Sequence, residues 1–108
     1  TLRVGAEGIE YRVGPDHRVI GWDRVAATGR IHQPMGMGYS GIWLSFDSPE
    51  PLTKTQERKL EVALYRRPYR VQEFDGGILI PVSLFGLPSS LVIRSVQDWH
   101  SAARGGAG

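Results

Sequence analysis

The longest apolar run of the chain, Ile78 to Pro88, opens on Ile78, Leu79, Ile80 and Val82 and breaks at Gly86-Leu87-Pro88. Its β-branched, apolar character predicts a core strand, with Pro81 at an edge or bulge because proline has no N–H for the ladder. Pro88 stands where a first-turn helix proline is tolerated, beside Ser89 and Ser90. Val92, Val96, Trp99 and Ala103 then recur at helical spacing, while Arg94, Gln97, Asp98 and Ser101 take the other face. The pattern predicts one last strand feeding one amphipathic C-terminal helix, which lies over the core as a lid with Trp99 as its largest plug.

The rest of the chain reads mostly as short strands. Thr1 to Val4 is extended, and Gly8 to Val13 sets Ile9, Tyr11 and Val13 on one face against Glu10 and Arg12 on the other. Gly14-Pro15-Asp16 predicts a reversal, with Arg18, Val19 and Ile20 returning as the hairpin partner. Gly21 to Val25 predicts a turn or single helical turn, and Ala26 to Gln33 a further strand. Pro34 to Gly41, with three glycines, predicts a flexible connection. Ile42, Leu44 and Phe46 alternate with Trp43, Ser45 and Asp47 in the clearest strand of the chain, which Pro49 and Pro51 end.

From Thr53 the pattern changes. TKTQERKLEVALY is rich in helix formers, with Leu60 and Leu64 one turn apart, and predicts a short helix ending near Arg67, before Pro68. Tyr69 to Phe74 is extended, and Asp75-Gly76-Gly77 predicts a tight hairpin turn. Gly105 to Gly108 reads as a disordered tail after a single domain spanning 1–104. A chain of 108 residues with 41% hydrophobic content supports one core. It holds no cysteine, so no disulfide or thiolate metal site contributes. No apolar run approaches the roughly 20 residues of a membrane-spanning helix. The start at Thr1, without methionine or a signal pattern, is expected of a segment of a longer protein or of a processed chain.

Charge changes the picture more than composition does. The net charge is +2, but residues 53–70 carry Lys54, Arg58, Lys59, Arg66, Arg67 and Arg70 against Glu57 and Glu61, a local +4 that leaves −2 for the remainder. A partner responds to this local field, and the six basic residues are candidates for an anionic contact. Met35, Met37 and Tyr39 form a second candidate, an apolar loop contact, set against the simpler reading that they fold back over the core.

Catalytic and cofactor chemistry finds little support. Gly36 to Gly41 matches G-x-G-x-x-G, yet a strand follows it instead of the helix whose N-terminus would receive phosphates. His17, His32 and His100 lack metal-ligand spacing and read as ordinary polar residues. Ser83, His100 and Asp98 can be grouped as a triad on paper, without a nucleophile elbow to support it. Trp22 and Trp99 read as core, and Trp43 fits either core or ligand cage. No catalytic, cofactor-binding or metal-binding residue is therefore assigned, and the chain reads as noncatalytic.

Short antiparallel strands closed by one amphipathic helix admit few compact arrangements, of which a bent, capped barrel is one. The segments GIEYRV, VIGWDRVAATGRI, GIWLSFD and ILIPVSLFGLP, in this order, resemble the bacterial pleckstrin-homology-like domains. An I-x-W-x-x-V segment comparable to Ile20 to Val25 and an I-P-[LV] strand comparable to Ile80 to Val82 recur in that family. The resemblance covers roughly residues 2–104 and implies a mainly β (α+β) fold, two near-orthogonal antiparallel sheets capped by the C-terminal helix, with residues 53–67 as a helical insertion. It does not carry over phosphoinositide binding: the first hairpin offers Arg12, His17 and Arg18, not the K-x(n)-[KR]-x-R pattern of the eukaryotic lipid binders.

The function expected from residues and resemblance together is an interaction module, presented at the cytoplasmic face of a membrane by parts of the protein outside this chain. Its partner would be a protein or an anionic lipid surface meeting the basic 54–70 segment or an exposed strand edge. The alternative is a nucleic-acid-binding module, in which Tyr65 and Tyr69 stack bases beside Arg66, Arg67 and Arg70.

Overall fold

The computed structural model describes residues 1–32 and 40–105. Residues 33–39 and 106–108 lie outside them, and with these the expected mobility of the Pro34–Gly41 connection, the loop candidates Met35, Met37 and Tyr39, most of the G-x-G-x-x-G match, and the tail. The chain runs β1 (Leu2–Gly5), β2 (Gly8–Val13), β3 (Asp16–Gly21), a 3₁₀ turn (Trp22–Arg24), β4 (Ala27–His32), β5 (Ser40–Ser45), α1 (Lys54–Arg66), β6 (Gln72–Phe74), β7 (Gly77–Pro81), a second 3₁₀ turn (Val82–Phe85) and α2 (Ser89–Gly105). This is an α+β arrangement. The strands form two antiparallel sheets, one ordered β1-β2-β3 and the other β4-β5-β7-β6.

Strand alternation decides which layer each side chain joins. Ile42 and Leu44 of β5 and Ile78 and Ile80 of β7 meet Ile9, Tyr11 and Ile20 of the first sheet and Val92, Ile93 and Val96 of α2 in the main core. Trp43 and Leu79, the residues between them, point the other way and join Ile31, Leu60 and Leu64 in a second core beneath α1. Every residue of β5 and of β7 is buried. The helix at 54–66 is thus the second wall of the four-stranded sheet. Its start is fixed by a capping box: Thr53 Oγ1 accepts from the Gln56 amide and the Gln56 side chain accepts from the Thr53 amide.

Glycine lets the β6–β7 turn close on β5. At Gly76, with φ of +78°, a Cβ would also strike the Asp47 carboxylate, and at Gly77 a Cβ would stand 2.3 Å from the Trp43 ring. The Trp43 ring fills that space and meets Phe74 edge-on at 5.9 Å between centroids.

Two expectations are corrected. Trp99 is not the plug of the C-terminal helix: it is 40% exposed, and Ala103 is exposed as well. At about 100° per residue the inward arc runs through Val92, Ile93, Val96 and His100, leaving Trp99 at its margin. The buried position belongs to His100, whose Nε2 lies 2.9 Å from the Val25 carbonyl and whose ring stands 6.0 Å from that of Trp22. Trp22 donates its indole N–H to the Gly5 carbonyl at 2.7 Å, so the last turns of α2 are tied through it to the β1–β2 turn. Pro81 sits at the end of β7, a central strand, opposite Gly41 and past the residues that pair with β6. Its missing N–H therefore falls where one side of the ladder has already stopped.

Leu64 is fully buried against the sheet, so Leu64→Ala should cost about 2–5 kcal/mol in urea unfolding, in one transition shared by both cores. A loss below about 1 kcal/mol, or a separate early transition for α1, would contradict a structural role for the second layer.

Candidate anionic contact surface

The outward positions of α1 follow from the burial of Leu60 and Leu64. Lys54, Arg58 and Lys59 are all exposed and, with Thr55 and Val62, border a shallow depression of about 440 Å³. Lys59 also reaches the rim of a smaller cleft of about 260 Å³ between α1 and the β6–β7 turn, lined by Trp43, Leu52, Leu60 and Phe74. This resolves the role of Trp43: at 8% exposure it is core, with one margin open to that cleft.

Arg66, Arg67 and Arg70 form a separate group. The helix ends as Arg67 donates its amide to the Ala63 carbonyl at 3.0 Å, and Pro68 prevents continuation. The Gln72 side chain donates to the same carbonyl at 2.9 Å, and Val71 packs against the main core, so the connection into β6 is held at both ends. The three arginines are left exposed on it. They border a cleft of about 760 Å³ whose other wall is the β2–β3 turn, Val13 to Asp16, with Tyr69 between them. Among the described residues, Asp16 is the one acidic residue lining the cleft. The sequence brings together six basic residues, and the fold divides them: Lys54 and Arg66 stand about 18 Å apart along the helix axis at 1.5 Å per residue.

The wall opposite is itself pinned by charge. Across the hairpin His17 Nε2 donates to the Glu10 carboxylate at 2.7 Å. That bond holds the Glu10 carboxyl below its ordinary value, against an opposing desolvation, with the His17, Arg3 and Arg12 charges adding to the effect. Arg18 of β3 pairs with Glu73 of β6 and joins the edges of the two sheets. Neither Arg12 nor Arg18 is among the residues that line the cleft, and Arg18 is already partnered.

A further cleft, of about 570 Å³, escapes sequence reasoning because its residues are scattered through the chain: Glu7, Trp22, Asp23, Arg24, Phe46 and Arg104 line it. Its charges are mixed and its arginines engaged, Arg24 at 5.5 Å over the Phe46 ring and Arg104 donating to the Ala26 carbonyl. Among the described residues, no three His, Cys, Asp or Glu side chains gather as a metal site. His100 and Asp98 face opposite sides of α2, buried and exposed, so the paper triad is not assembled. No helix among the described residues is long and apolar enough to cross a membrane.

Because the Glu10 value is lowered, the His17–Glu10 pair favours the folded state above the unfolded carboxyl value and loses that contribution as pH falls through the lowered folded one. In an NMR titration the Glu10 carboxyl should titrate below an ordinary glutamate, and His17→Ala should raise its midpoint; an unmoved midpoint would contradict the pairing. Compared with known proteins, the chain matches no family model, no curated protein and no solved structure.

Proposed function

We propose that this chain is a noncatalytic interaction module, a pleckstrin-homology-like domain acting at the cytoplasmic face of a membrane, which meets an anionic lipid surface or an acidic protein through its basic segment. The observation that carries the reading is the cleft between the α1–β6 connection and the β2–β3 turn, where Arg66, Arg67 and Arg70 face Asp16 alone among acids. Three guanidinium groups on a held connection present planar donors that fit phosphate or carboxylate oxygens. Lys54, Arg58 and Lys59 add a second positive patch along α1. For the fold, support comes from two antiparallel sheets sharing one core with the C-terminal helix. The wall formed by α1 is what the family resemblance does not supply.

The experiment is co-sedimentation with acidic and with neutral liposomes over a salt series. Binding to the acidic vesicles should be weak, preferential and lost as salt rises, with roughly 1 kcal/mol for each basic residue near the surface. Replacing Arg66, Arg67 and Arg70 together by glutamine should abolish the preference with little change in stability, since all three are exposed. Tyr65 and Tyr69, more than half exposed beside these arginines, give the nucleic-acid reading its one specific observation. Binding to a single-stranded oligonucleotide under the same salt, with none to liposomes, would replace the first reading by that one.

A further inference from the structure

The outer face of α2 carries apolar groups that the rest of the described chain leaves partly uncovered. Leu91 and Trp99 are 62% and 40% exposed, and at helical spacing they lie along one side of the helix with Ser95 and Ala102 between and beyond them, while Leu87, 41% exposed, precedes the helix. Beside this stripe stand Arg94 and Asp98. They are one turn apart, yet among the described residues neither has an ion-pair partner. The order, cation before anion, is the less favourable one for pairing within a helix.

We infer that this face is a self-association surface, on which a second copy of the chain docks its own α2 antiparallel about a twofold axis beside Ser95. The charge pattern selects this occupant. A twofold axis between antiparallel helices places the same flank of each helix together, so residues on one side of the stripe meet their own kind of neighbour. With the axis beside Ser95, Arg94 of each copy comes within about 3 Å of level with Asp98 of the other, and two ion pairs form from one residue of each sign. Leu91 of each copy then meets Trp99 and Ala102 of the other. The small Ser95 side chain at the crossing lets the helices approach. The pattern is complementary to itself, as a twofold contact requires. A single helix pair belongs among small, transient interfaces, below about 1,200 Å² in total, so the pairing is concentration-dependent.

The test is a charge exchange measured by sedimentation equilibrium on the whole chain. Arg94→Glu alone turns both ion pairs into pairs of carboxylates and should weaken self-association about tenfold or more; Asp98→Arg alone turns both into pairs of guanidinium groups and should do the same. Mixing the two variants should restore association as a mixed pair, because one copy then carries two acids and the other two bases at the meeting positions. The double variant Arg94→Glu/Asp98→Arg should recover part of the association that each single exchange loses, since its anion-before-cation order also favours pairing within the helix. Leu91→Glu should abolish association in every background. All three positions are exposed, so thermal unfolding should be little changed and verifies that each variant is folded. A wild type that is monomeric throughout the accessible concentration range, or association in which the single exchanges weaken nothing and their mixture restores nothing, overturns the inference.

Discussion

The structure depends on the burial of both faces of the β5–β7 pair. Strand alternation sends Ile42, Leu44, Ile78 and Ile80 to one side and Trp43 and Leu79 to the other, so one apolar layer cannot cover this sheet. The second layer is α1. Burying a large apolar side chain contributes about 1.5–3 kcal/mol, so the five buried residues of the second core represent on the order of 10 kcal/mol of gross stabilisation. A domain's net stability is about 5–15 kcal/mol. An element that closes a core of that size belongs to the folding unit, whatever its status as an insertion relative to a family pattern.

From that wall follows the position of the basic residues. Leu60 and Leu64 must face the sheet, so the lysines and arginines of the helix must face away from it. Helix geometry then carries Arg66 to the end beside the β2–β3 turn, where Arg67 and Arg70 join it on a connection held by Gln72. Cations at a helix C-terminus also interact favourably with the last carbonyls. Part of the reason for arginine at position 66 is therefore local stability, while Arg67 and Arg70, past the last helical residue, are less constrained by that requirement.

How much of this is legible in the sequence differs from residue to residue. The strands β1, β2, β4 and β7, the β2–β3 reversal, the turn at Trp22 and both helices are written in local signals: alternation, paired glycine and proline, and helix formers ending at Pro68. What local signals do not contain is what lies across the fold. Helical spacing admits either Trp99 or His100 to the inward arc, and the choice is made by Trp22 and the Val25 carbonyl, more than seventy positions away in the chain. The candidate cleft shows the same division. Six basic residues are evident as a run, but that three of them share a cleft with Gly14 and Asp16 depends on the packing of Val71 and on the capping of α1. Arg24 and Arg104 have no sequence proximity at all, and only the fold brings them to one cleft.

The layering also constrains how the two surfaces can act together. Because α1 and α2 pack against opposite faces of the four-stranded sheet and no residue of α2 lines the arginine cleft, pairing through α2 leaves α1 and that cleft uncovered in each copy. A second contact raises overall affinity only where one partner reaches both sites at once. A flat bilayer reaches both basic sites only where they face the same side of the pair, whereas a long acidic chain can pass from one to the other. Self-association would thus strengthen contact with an extended polyanion in any orientation of the two clefts, and contact with a planar membrane only where both face one side. The two partner classes are separated by the geometry of the pair more sharply than by the charge of the patch, which both would recognise.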